Sequence, residues 1–140
     1  MSALLFRTRV AVLWVAVAVA MSGSLLLFLY APGALEEMLA GTMEGETLDD
    51  TWGILFAALV AIPLVMAGVT LLASGRVNRY LNLVAGLAFG LLGALPVGEI
   101  LEGTFDGHIV MALTAAALGW LIGGLSVVAL RQVTATSVAS

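Results

Sequence analysis

APGALEEMLAGTMEGETLDDTW, the stretch from Ala31 to Trp52, decides how this chain is laid out. It carries six of the nine acidic residues (Glu36, Glu37, Glu44, Glu46, Asp49, Asp50), has no basic residue, and separates two long apolar runs. An acidic connection between apolar runs reads as a loop outside the cytoplasm, and its placement orients every other segment. Pro32-Gly33 ends the run before it. Ala34–Ala40 reads as a short helix lying at the interface, with Glu36 and Glu37 near its first turn and Gly41 as its stop. Gly41–Asp50 reads as a polar loop. Asp49, Asp50 or Thr51 is placed to cap the following helix, with Trp52 at the interface.

Outward from this stretch, four apolar spans follow. Val10–Ala31 is free of charge, and at about 1.5 Å per residue its helix would be roughly 33 Å long, enough for a hydrocarbon core of about 30 Å. Ala18-Val19-Ala20 resembles a signal-cleavage site, but apolar residues continue well beyond it, so the segment is expected to stay as the first span. The second span, 53–73, has Pro63 near its centre, which implies a kink. Ser74–Arg79 reads as a tight polar turn into the third span, 80–98, which Pro96 disturbs. The fourth span is 108–130, followed by a small polar tail.

Composition supports the membrane reading independently. Hydrophobic residues make up 62% and charged residues 10%, against about 45–50% and about 25% in soluble domains. There is no cysteine and no lysine, so disulfides, thiolate ligands and a lysine Schiff base are excluded. All five arginines (Arg7, Arg9, Arg76, Arg79, Arg131) precede span one, lie between spans two and three, or follow span four, while the acids occupy the other two connections. By the positive-inside rule both termini face the cytoplasm. The expected fold is all-α: a four-span transmembrane antiparallel helical bundle with a short interfacial helix in its first outer loop, one domain over 1–140.

Chemistry has few candidates. Glu99, Glu102 and Asp106 are spaced i, i+3, i+7 and would share a face of a continuing helix; His108, Glu36 and Glu37 lie at the same depth. Such carboxylates with an imidazole could hold a divalent cation. The plainer reading is of solvated loop acids that cap helices. The spans hold no ionisable group at depth, unlike ion-coupled carriers. Ser22, Ser24, Thr70, Asn82, Thr114 and Ser126 can each be satisfied by helix carbonyls or a neighbouring helix. Gly86, Gly90 and Gly93, with Gly119, Gly123 and Gly124, predict close helix packing between spans three and four of one chain or, as the second reading, a seam between chains of an oligomer. Trp14, Tyr30, Trp52 and Tyr80 read as an interfacial belt. Trp120 falls mid-membrane, as a packed core residue or the wall of a pocket for an apolar ligand or lipid. No nucleophile with its base and no phosphate loop is present.

PGALEEMLAG, the central Ile62-Pro63, and Asn78-Arg79-Tyr80-Leu81-Asn82 with Gly86 resemble a family of small uncharacterised four-span bacterial integral membrane proteins, over about residues 10–130. The resemblance implies the same fold and topology and brings no activity. Many members carry Glu before the mid-span proline, where this chain has Ala61, so no role for a carboxylate in span two carries over.

The functional expectation is a non-enzymatic small polytopic protein of the bacterial cytoplasmic membrane, a structural or accessory subunit without a bound cofactor. Its partners would be the lipid bilayer, further copies of itself or a larger membrane complex, and no nucleic acid. Two alternatives stand beside it: an oligomer that binds or conducts cations through the outer acidic rim, and a binder of an apolar ligand near Trp120.

Overall fold

The computed structural model describes residues 3–43, 45–101, 103 and 106–138, with backbone only for 99 and 133–138. Helix dominates: α1 (Ala3–Phe28), α2 (Ala34–Leu39), α3 (Asp50–Leu72), α4 (Gly75–Leu92), α5 (Val97–Leu101) and α6 (Gly107–Val138), with a small hairpin of β1 (Thr42–Met43) and β2 (Glu46–Thr47). Among the described residues, three helices are long and apolar enough to cross a membrane: α1, α3 and the Gly107–Gln132 part of α6. α4 differs from them. Its 18 residues begin with Arg76, Asn78, Arg79 and Asn82 before turning apolar.

α1 packs against both α3 and α6, and α6 packs in turn against α4. The face that α1 buries is Phe6, Val10, Trp14, Val17 and Met21, a three-to-four residue spacing that keeps one stripe of the helix inward. It meets Ala67, Phe89, Ala115, Ile122 and Ala129. Lipid is as apolar as these side chains, so helices in a membrane are held by close packing and hydrogen bonds between them rather than by escape from water.

The acidic stretch folds back on the end of this assembly. α2 has Glu36 and Glu37 in its first turn, where they favour the helix dipole. Gly41, with φ of 74°, takes the left-handed conformation that reverses the chain after α2. Where the sequence reads as a plain loop, Thr42 pairs with Thr47 and Met43 with Glu46. Met38 and Met43 turn inward and line, with Phe28 and Phe56, an apolar cavity of about 160 Å³. Asp49 is the cap of α3, accepting from the Thr51 N–H at 2.9 Å.

Two expected boundaries move. Ser74–Arg79 is not a turn: only Ala73 and Ser74 break the helix, and α4 starts at Gly75. Asn78 explains this, because its side-chain amide donates to the Thr70 and Ala73 carbonyls at 3.3 and 3.2 Å and satisfies the end of α3 from within α4. The segment expected as a span to residue 98 ends as helix at Leu92, turns through Gly93–Pro96, and continues as α5. Pro63 is buried, and α3 runs from Asp50 to Leu72 across it.

Candidate functional site

The buried polar residues Thr70 and Asn78 converge on Asn82. Trp14, expected in an interfacial belt, is instead fully buried and donates from Nε1 to Asn82 Oδ1 at 2.6 Å. Its ring meets Phe89 edge-on, with centroids 5.6 Å apart. Thr70 Oγ1 donates to the same Asn82 oxygen at 2.8 Å. Asn82 Nδ2 donates to the Asn78 carbonyl at 2.8 Å and to Asn78 Oδ1 at 2.9 Å. Asn78 reaches back to α3, as described, and Arg7 Nε adds a bond to the Thr70 carbonyl at 3.2 Å. Arg79 donates to the Ala129 carbonyl at 2.7 Å, its guanidinium 5.8 Å from the centre of the Phe6 ring. Side chains from α1, α3 and α4 and a carbonyl of α6 are thereby tied together.

The chemistry of this cluster is that of a fastener. Asn82 Oδ1 accepts two hydrogen bonds and Nδ2 donates two, which fills the amide's capacity apart from any water. Amides, a hydroxyl and an indole do not change charge near neutral pH. A space of about 20 Å³ between Arg7, Arg79, Ser74 and Asn78 has room for about one water. Four further hydroxyls of α1 and α6 are also engaged. Ser22, Thr114 and Ser126 each donate to the carbonyl four residues earlier, and Ser24 donates to the His108 carbonyl at 3.0 Å.

The glycines form the contact of α4 with α6. A Cβ on Gly86 would fall 2.8 Å from the Gly119 carbonyl oxygen, and one on Gly93 would fall 2.6 Å from that of Ala112. Gly123 meets the side chains of Leu83 and Leu87, while Gly90 accommodates the indole of Trp120. Trp120 lies across α4 with 52% of its surface exposed, so it is not a core residue, and it does not line the apolar groove described below.

At the other end, the expected acidic face is broken. α5 stops at Leu101, Gly103 has φ of 90°, and Asp106 precedes α6, so Glu99 and Asp106 do not lie on one continuous helix. The side chains of Glu99 and Glu102 lie outside the described residues. Glu36 and Glu37 are exposed on α2. Among the described residues, no three His, Asp or Glu side chains come together in a way that could hold a metal ion. Asp106 instead caps the start of α6. Its Oδ1 accepts from the His108 and Ile109 N–H groups at 3.1 and 3.3 Å, and lies 2.6 Å from His108 Nδ1. The His108 ring stands edge-on to Phe28. Asp106→Ala is therefore expected to lower stability by about 1 kcal/mol through the lost cap, read as an earlier midpoint in SDS-titrated unfolding; an unchanged midpoint would contradict this role.

An apolar groove of about 660 Å³ lies on the outer side of α1. Val12, Val15 and Ala16 form its floor, with Leu71 of α3 on one side and Met111 and Thr114 of α6 on the other. Sequence reasoning does not find it, because its residues differ in no way from other lipid-facing ones.

Membrane-length apolar helices around a polar cluster closed on itself define a helical membrane protein. The chain belongs to a family of unknown function, DUF6326, whose model matches residues 6–134. No curated protein and no solved structure matches it.

Proposed function

We propose that the chain is a four-span, antiparallel helical protein of the bacterial cytoplasmic membrane, with both termini inside, and that it acts without catalysis as a structural or accessory component. One observation carries the functional part: the buried Trp14, Thr70, Asn78 and Asn82 side chains are spent on one another, whereas a groove of about 660 Å³ is apolar and opens outward. A surface of that kind serves association with other membrane components. Contacts at both ends support the topology. Ser24 meets His108 and Met111 lies over Gly23 at the acidic end, while Arg79 meets Ala129 at the basic end. α4, at about 27 Å for 18 residues, is short for the hydrocarbon core, and arginines near its start can reach the interface along their apolar stems.

Because the chain has no cysteine, single-cysteine variants test orientation without background. A membrane-impermeant maleimide should label Thr47→Cys in intact cells and Ser74→Cys only after permeabilisation. The opposite pattern would invert the orientation, and equal labelling in intact cells would remove the α3 crossing. For the association itself, native mass spectrometry in mild detergent should find the chain bound to lipid, to further copies or to a foreign chain. A bare monomer under every mild condition would sink the reading.

A further inference from the structure

We propose that the groove on α1 holds an acyl chain of an anionic phospholipid from the cytoplasmic leaflet. The inference deepens the association reading above and rests on its orientation. Length is the first argument. On α1 the groove extends from Thr8 to Ala20, a rise of about 18 Å, close to the roughly 15 Å depth of one leaflet. Its far end is closed by Met111, whose methyl group lies over Gly23 in the space a side chain would fill. A transmembrane helix of a partner would need a seam along the full depth of the bilayer; an acyl chain needs one leaflet.

Charge is the second argument. Arg9 precedes Val12, Ala16 and Ala20 by three, seven and eleven residues, so on the helix it falls within the same arc as the groove floor, and it is exposed. Thr8, next to it in the chain, lines the groove at this end. Arg76, in the first turn of α4, lies on the same side of the membrane in this topology. The acidic residues belong to the other side in this topology. A phosphate at the mouth would thus meet a positive field, and the groove beneath it would take the chain.

The test is native mass spectrometry of the full chain taken from vesicles of equal phosphatidylglycerol and phosphatidylcholine into a mild detergent. The monomer should retain one phosphatidylglycerol. Arg9→Gln should lower the preference over phosphatidylcholine about fivefold, the equivalent of about 1 kcal/mol for one arginine near an anionic headgroup. Ala16→Phe fills the groove from α1 and Thr114→Phe from α6; either should remove the adduct, while Val84→Phe on the exposed face of α4 should keep it. Two fillers are used so that one misfolded variant does not decide the matter, each being scored on its monodisperse fraction. Retention of the lipid in both fillers, or equal retention of the two lipids by the parent chain, overturns the proposal. A homodimer that either filler dissolves gives the groove to a second copy and also overturns it. Capture of a foreign chain with no bound lipid would sink this inference while leaving the association reading intact.

Discussion

Asn82→Leu is expected to destabilise the protein by about 2–3 kcal/mol. The replacement is close in size, so the loss is one of hydrogen bonding. Leucine withdraws the acceptor of both the Trp14 N–H and the Thr70 hydroxyl, and the donor to Asn78. Thr70 can turn back to a carbonyl of its own helix. The indole, fully buried, has no such recourse. A stranded buried donor costs about 1–3 kcal/mol, although hydrogen bonds between membrane helices average nearer 0.6 kcal/mol because the unfolded helices also find partners in the membrane. Trp14→Phe removes a donor and leaves the Asn82 oxygen bound to Thr70, so it should cost less for its hydrogen bond. The order of the two variants in SDS-titrated unfolding is the measurement. A midpoint for Asn82→Leu equal to that of the parent chain would mean that water or a rearranged side chain replaces the lost amide.

Gly119→Ala should be at least as damaging, for a reason of space. An added Cβ would fall 2.6 Å from the Gly90 backbone nitrogen, 2.7 Å from the Gly86 carbonyl oxygen and 3.0 Å from the Gly90 Cα. No rotamer change relieves a clash with backbone, so α4 and α6 must move apart along their contact. Overpacking of this kind costs about 1–3 kcal/mol, occasionally more, and a packed bundle in lipid has little else to hold it. Gly124→Ala is the internal control: one position beyond the seam, its Cβ would meet nothing within 4 Å. It should be neutral, or stabilising by up to about 1 kcal/mol through helix propensity. Equal unfolding midpoints for the two variants would show that α4 and α6 do not rely on close approach.

Much of the architecture is legible from two patterns, the charge-free runs and the glycine spacing. Both report constraints that a membrane imposes on any chain: length without charge, and small residues where backbones must meet. What escapes is whatever depends on one side chain finding another far along the chain. Trp14 looks interfacial because tryptophans often are; only the presence of Asn82, 68 positions later, makes it a core residue. Asn78 sits in a stretch rich in glycine, serine and arginine that resembles a turn, and its helical placement follows from bonds to α3 that no local rule anticipates. The spacing of the outer acids suits a continuing helix, yet Gly103 adopts a backbone that stops one. The apolar groove leaves no mark in the sequence at all, since its shape comes from the gap between three helices.

The polar start of α4 has a bearing on how the protein is made. A segment with Arg76, Asn78, Arg79 and Asn82 among its first eight residues is the one that gains least from leaving water for lipid on its own. Ribosomal synthesis delivers α1 and α3 first, and these bring the Trp14 indole, the Thr70 hydroxyl and the Thr70 carbonyl with which the two asparagines pair. In the four-span arrangement proposed above, α4 would enter a bilayer in which its receptors are already waiting. α6 arrives last, to cover the seam and the inner stripe of α1. In that arrangement the order of the codons would also be an order of assembly: reversing α3 and α4 would present the asparagines to lipid before the Thr70 and Ala73 groups they pair with exist.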